Sequence, residues 1–175
     1  PDAEAAKAAE DYLDQKIAEC DSVGGVVECV ISGLPVGLGE PVFEKLDANL
    51  AKAILSIGAV KGFEIGDGFA ATKACGSENN DEFRMDGDKI VKETNHAGGV
   101  LGGISDGSDV VFRAAFKPTP SIAKSQETVT KDGANIDLVI HGRHDPVVVP
   151  RAVVVVESMA AITAMDMLLV SMTSR

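Results

Sequence analysis

The chain contains no tryptophan, and all its aromatic residues together make up only 4% of it. A core must therefore be filled by Val, Ile, Leu, Ala and Met, and little material remains for stacking the bases of single-stranded nucleic acid. Basic residues are also short, 16 against 27 acidic, for a net charge of −11. That surplus repels a phosphate backbone and argues against a nucleic-acid partner. The three thiols, Cys20, Cys29 and Cys75, are odd in number and follow no metal-ligand spacing. Free cysteines in a reducing compartment are the simplest account, and no metal site is expected from them. A basic stretch leading into an apolar run and a small-residue cleavage site is missing too, so a cytoplasmic location is expected. What is present is a globular balance, 45% hydrophobic and 25% charged, in 175 residues. Such a length suits one domain with its own core.

Apolar residues at Ala6, Ala9, Leu13, Ile17 and Cys20 follow the spacing of one helical face, predicting an amphipathic helix from Asp2 to about Cys20. Val26–Ser32, Val60–Ile65, Val110–Phe116 and Ile136–Ile140 read as strands. Pro41 can open a helix without losing a hydrogen bond, and Val42, Phe43, Leu46, Leu50 and Ile54 supply its stripe to about Gly58. The segment from Gly76 to Lys92 is polar and aperiodic, and is expected to be a surface flap. From Pro150 to about Met172 the chain is apolar almost all round, broken after Arg151 only by Glu157 and Asp166. Each such charge costs roughly 2.5 to 3.5 kcal/mol near a bilayer centre. A helix buried in protein is expected rather than a membrane span. No repeat, heptad or linker divides the chain, and helices mixed with antiparallel strands predict an α+β domain.

The densest functional cluster is HGRHDP, residues 141–146, between a strand and the terminal helix. Arg143 offers a planar fork of donors for carboxylate or phosphate. Asp145 stands two residues away, and the guanidinium would favour its ionised form if the two meet. These residues also fit a solvated turn; a metal hydrolase using His141, His144 and Asp145 is a weaker alternative, because no further clear ligand group recurs elsewhere. A second cluster, Thr94–Gly107, carries Gly98, Gly99, Gly102 and Gly103, a pattern of tight turns or close ligand approach. Its spacing departs from the dinucleotide fingerprint. Lys117 follows a strand and precedes a proline-bracketed turn that presents Thr119 and Ser121, where it could meet a phosphate or simply face solvent.

Taken together, GLGEPVFEKLDANLAKAILSIGAVKGFEIGDGF, TNHAGGVLGGISDG, KPTPSIAKSQETV and GRHDPVVVPRAVVVVESMAA resemble the carboxy-terminal half of the chorismate synthases in order and spacing. The resemblance runs through nearly the whole chain. It implies a sandwich in which helices lie between two antiparallel sheets, with residues 1–175 forming one carboxy-terminal region and part of a larger domain. It also implies a carbon–oxygen lyase acting on a phosphate, which converts 5-enolpyruvylshikimate 3-phosphate to chorismate by anti 1,4-elimination with reduced FMN, within a homotetramer. On matching positions Asp145 would assist proton transfer beside the flavin and Arg143 would bind the anionic substrate. Lys117, Ser121 and His144 would contact FMN, with Gly58 and Ala59 approaching it through main chain. Some relatives carry Asn at the position of Gly58, where a side-chain contact is absent here. The GESHG-type histidine, a second catalytic histidine and most substrate-binding arginines of that family do not occur in this sequence, and five arginines are few for a substrate with a phosphate and two carboxylates. Residues 1–175 alone are therefore expected to be inactive or nearly so. A non-catalytic flavin-binding or assembly module is the alternative.

Overall fold

The structure is a computed structural model describing residues 2–173. In chain order it runs α1 (Ala3–Ala18), β1 (Gly25–Ile31), α2 (Leu46–Leu55), β2 (Val60–Ile65), a 3-10 turn (Gly68–Lys73), α3 (Gly76–Asn79), β3 (Phe83–Asp86), β4 (Lys89–Lys92), β5 (Val100–Leu101), β6 (Ile104–Ser105), β7 (Val110–Phe116), β8 (Gln126–Val129), β9 (Asn135–Leu138) and α4 (Val149–Thr173). The central sheet is antiparallel, in the order β1-β7-β2. In β7 every second side chain points inward, so Val110, Phe112, Ala114 and Phe116 are buried. This is the period of two that puts alternate residues on opposite faces.

Helices α2 and α4 cover that inner face. Leu46, Leu50 and Ile54 are fully buried on α2, while Ala152, Val156, Ala160 and Met167 form the matching stripe of α4. Phe63 of β2 stacks on Phe112 with ring centroids 5.3 Å apart. An α+β architecture with a helix layer on an antiparallel sheet is what the sequence predicts. Only one sheet flanks the helix layer among the described residues, however, and the other side of α4 leaves Val154, Ile162, Met165, Leu169 and Met172 exposed. By length and composition α4 could cross a membrane, yet one stripe of it is packed against protein. The stripe expected on α1 exists but buries nothing; Asp2 caps the helix by accepting from the N–H of Ala5 at 2.9 Å.

Three expectations are corrected. The second helix begins at Leu46, five residues after Pro41, and Val42 and Phe43 lie exposed outside it. The reason is tertiary: the Leu46 N–H donates to the carbonyl of Gly103, and Gly39 sits so close to that carbonyl that a Cβ there would approach it to 2.2 Å. Residues 39–45 are pinned in an irregular path that a helix could not follow. The segment Gly76–Lys92, though without a sustained period, folds into α3 and the β3–β4 hairpin. A similar hairpin, β8–β9, replaces the single strand expected at Ile136–Ile140.

Candidate active site

Sheet and helix layer bring two loops together. The first leaves the end of β7 at Lys117, whose N–H donates to the carbonyl of Ala59 at 2.9 Å. Ala59 holds a positive φ of 71°, so the turn at Gly58 and Ala59 is fixed beside the start of that loop. Pro118 and Pro120 then hold the backbone extended. The carbonyl of Thr119 accepts from the Ser22 hydroxyl at 2.7 Å, whereas the Thr119 hydroxyl is buried without a hydrogen-bond partner.

The second loop, residues 141–148, runs into α4. A ring nitrogen of His144, Nε2, lies 3.1 Å from the carbonyl of Ile140, and a carbonyl there requires that nitrogen to be the donor. The carbonyl of Pro146 accepts from the Val23 N–H at 2.8 Å, and Val23 forms a parallel bridge with Val147. Between the loops opens a cleft of about 620 Å³ lined by Thr119, Ser121, Arg143, His144, Asp145, Val148 and Arg151. Four expected site residues, Ser121, Arg143, His144 and Asp145, thus share one cleft. Lys117, Gly58 and Ala59 stand outside its lining and connect to it through the backbone.

The ion pair in the cleft differs from the one the sequence suggests. Asp145 is held by Arg151 of the first turn of α4, with Nη1 to Oδ2 at 2.6 Å, while Arg143 is left exposed. Arg151 was legible only as a helix-start residue; its place six positions after Asp145, once the chain turns into α4, brings its guanidinium back over the carboxylate. Among the described residues no group of three or more His, Cys, Asp or Glu converges as metal ligands.

The glycine-rich segment is built around charge. Lys92, its side chain only 2% exposed, donates to Asp106 at 2.7 Å, Asn95 at 3.1 Å and Asp81 at 3.3 Å. Asp81 also accepts from the Thr94 hydroxyl and from the N–H groups of His96 and Ala97. Burial alone would raise the Asp81 carboxyl, but these donors outweigh it and hold the acid well below the usual carboxylate range. Nδ1 of His96 meets Asp67 at 2.7 Å. Gly66 packs so tightly on this segment that a Cβ would lie 2.1 Å from the His96 carbonyl. Gly66, Gly98 and Gly99 serve backbone approach within the fold, whereas Gly102 faces open space.

A family model described as chorismate synthase matches residues 1–169. The chain belongs to the chorismate synthase family. Proteins named chorismate synthase from Lachnoclostridium phytofermentans and Agathobacter rectalis are each 65% identical to it, aligned over all of this chain and 48% of their own length. One from Gloeothece citriformis is 55% identical over 97% of the chain and 47% of its own. The chain spans about half the length of these relatives. A crystal structure of chorismate synthase superimposes with a TM-score of 0.77 at 33% identity, covering 94% of this chain and 43% of that one.

Chorismate synthases imply a flavin, so the cleft has to suit a phosphorylated, polar-edged ring system. It offers the guanidinium of Arg143, the Ser121 hydroxyl and the unpartnered buried hydroxyl of Thr119, with Arg151 alongside. A buried hydroxyl without a partner forfeits about 1 to 3 kcal/mol, which a bound acceptor recovers. The residues fit the group.

Proposed function

We propose that this chain supplies one wall of a flavin and substrate pocket in an enzyme that converts 5-enolpyruvylshikimate 3-phosphate to chorismate and inorganic phosphate. The observation that carries this reading is the convergence of the two loops, which sets Ser121, Arg143, His144 and Asp145 around one cleft with an unsatisfied hydroxyl at Thr119. In the overall reaction the bond between carbon and the phosphate oxygen breaks, a proton leaves from the opposite face of the ring, and a new carbon–carbon double bond forms. Reduced FMN supplies electron density to the departing phosphate and a basic site for the proton when it is bound. Arg143 balances charge on the anionic substrate, as a planar donor fork does for phosphate or carboxylate. Asp145, kept in orientation by Arg151, stands ready to take up the proton and release it to solvent. Ser121 and His144 would contact the bound flavin from the cleft lining, and Lys117 would join them from outside it, with the main chain at Gly58 and Ala59 hydrogen-bonded to the start of that loop.

The exposed stripe of α4 and the shortage of cations support a pocket completed by further chain, in a homotetrameric cytoplasmic enzyme. Residues 1–175 alone then bind FMN weakly and turn over substrate at most marginally. Titration with oxidised FMN, followed by an assay for chorismate with and without the remaining family-length segment supplied in trans, tests this. Turnover restored only in trans supports the reading, and robust turnover by residues 1–175 alone defeats it. If Arg143→Ala leaves FMN affinity and substrate KM of the complemented enzyme unchanged, the cleft is not the site.

A further inference from the structure

The two loops that wall the cleft come from opposite ends of the exposed β8–β9 hairpin, and among the described residues no hydrogen bond or ion pair joins them directly. Both are tied instead to one short segment between α1 and β1. The Ser22 hydroxyl donates to the Thr119 carbonyl of the first loop at 2.7 Å. One residue on, the Val23 N–H donates to the Pro146 carbonyl of the second loop at 2.8 Å, and Val23 bridges Val147. On the other side of Ser22, Asp21 binds Lys124 at 2.6 Å, just past the first loop, and its carboxylate also accepts from the Ser22 N–H. Gly24 then lies against the first loop, where a Cβ would come within 3.2 Å of Pro118. Consecutive residues of an extended segment point to opposite sides, so a segment wedged between two loops can grip one with each.

We propose that residues 21–23 form a strap that sets the separation of the two cleft walls, with Ser22 as its positioning residue. The proposal rests on the flavin reading of the cleft for its functional consequence, and on geometry alone for its structural one. A hydroxyl-to-carbonyl bond contributes roughly 0.5 to 1.5 kcal/mol net, and cutting it loosens the wall that carries the unpartnered Thr119 hydroxyl. The half-buried Asp21–Lys124 pair serves to keep the strap in register.

Hydrogen–deuterium exchange on the wild-type chain, Ser22→Ala and Ser22→Thr, together with oxidised-FMN titration, tests this. In Ser22→Ala, peptides covering residues 117–121 and 141–147 are expected to exchange faster together. Peptides from β7 and α2 stay unchanged, FMN binding weakens by roughly two- to tenfold, and Ser22→Thr, which keeps the hydroxyl, restores both readouts. Unchanged exchange in both loops overturns the strap, as does loosening of the first loop alone. If the wild-type chain binds no FMN even when complemented, the flavin reading fails, while exchange still decides the strap.

Discussion

Asp145 has two arginines within reach along the chain, and the one it binds comes from the helix rather than from its own loop. Because that Arg151 side chain is 80% exposed, the pair adds little to folding, in the range of about 0 to 1 kcal/mol for exposed ion pairs. Arg151→Ala should therefore leave the melting temperature within about a couple of degrees of wild type, while lowering turnover of the complemented enzyme by disordering the carboxylate. A steep fall in melting temperature would instead assign Arg151 to the core. Lys92 is the opposite case, since its ammonium is shut away between two carboxylates. Lys92→Met strands those charges and should cost about 3 to 5 kcal/mol in urea unfolding, the usual effect of removing one partner of a buried pair. Acid should act on the same cluster. The native Asp81 carboxyl sits below its unfolded value, so its stabilisation is present at neutral pH. It is lost as pH falls below about 4, where the unfolded chain takes up a proton that the native one resists. Wild type should thus lose more stability between about pH 5 and pH 3 than Asp81→Asn does, as followed by urea midpoints.

Strands that bury a face were legible, and the hairpin strands that bury none were missed or found only in part, whereas α1 was legible from its period although it buries nothing. Val60–Ile65 and Val110–Phe116 carry apolar runs that sheet and helices consume, and both strands stand where the pattern puts them. The β3–β4 and β8–β9 hairpins bury almost nothing, so no hydrophobic period marks them, and the sequence over Gly76–Lys92 reads as a flap. The start of α2 was misplaced because a contact with Gly103, far along the chain, overrides the preference of Pro41 for a first turn. In the cleft, motifs marked the loops, but only the fold could show that Arg151 takes Asp145 and that Lys117 stands outside the lining. Glycines separate along the same line. Gly66 and Gly87 both hold a positive φ, near 55° and 59°, yet only Gly66 has backbone against the place a Cβ would fill. Gly87→Ala should cost only the left-handed strain, about 1 to 2 kcal/mol. Gly66→Ala adds a clash with the His96 carbonyl and should cost clearly more; equal chemical-denaturation midpoints for the two variants would contradict the packing described.

At the scale of the whole molecule the decisive feature is a helix with two apolar sides. Ala152, Val156, Ala160 and Met167 face the sheet and α2, and Val154, Ile162, Met165, Leu169 and Met172 recur at helical spacing on the other side. A contiguous apolar stripe of this kind marks an interaction surface. Relatives are about twice as long, and we propose that the remainder of such a chain is the occupant of this face. Leu169→Glu alters that outer stripe without touching the inner one. It should leave the midpoint of unfolding of residues 1–175 nearly unchanged, yet weaken association with the complementary segment by at least about tenfold, because a carboxylate would be buried without a partner. Sedimentation of the mixed segments reads the association and urea melts read the stability. Loss of stability with unchanged association would mean that the outer face of α4 packs within this chain and not against the rest of the enzyme.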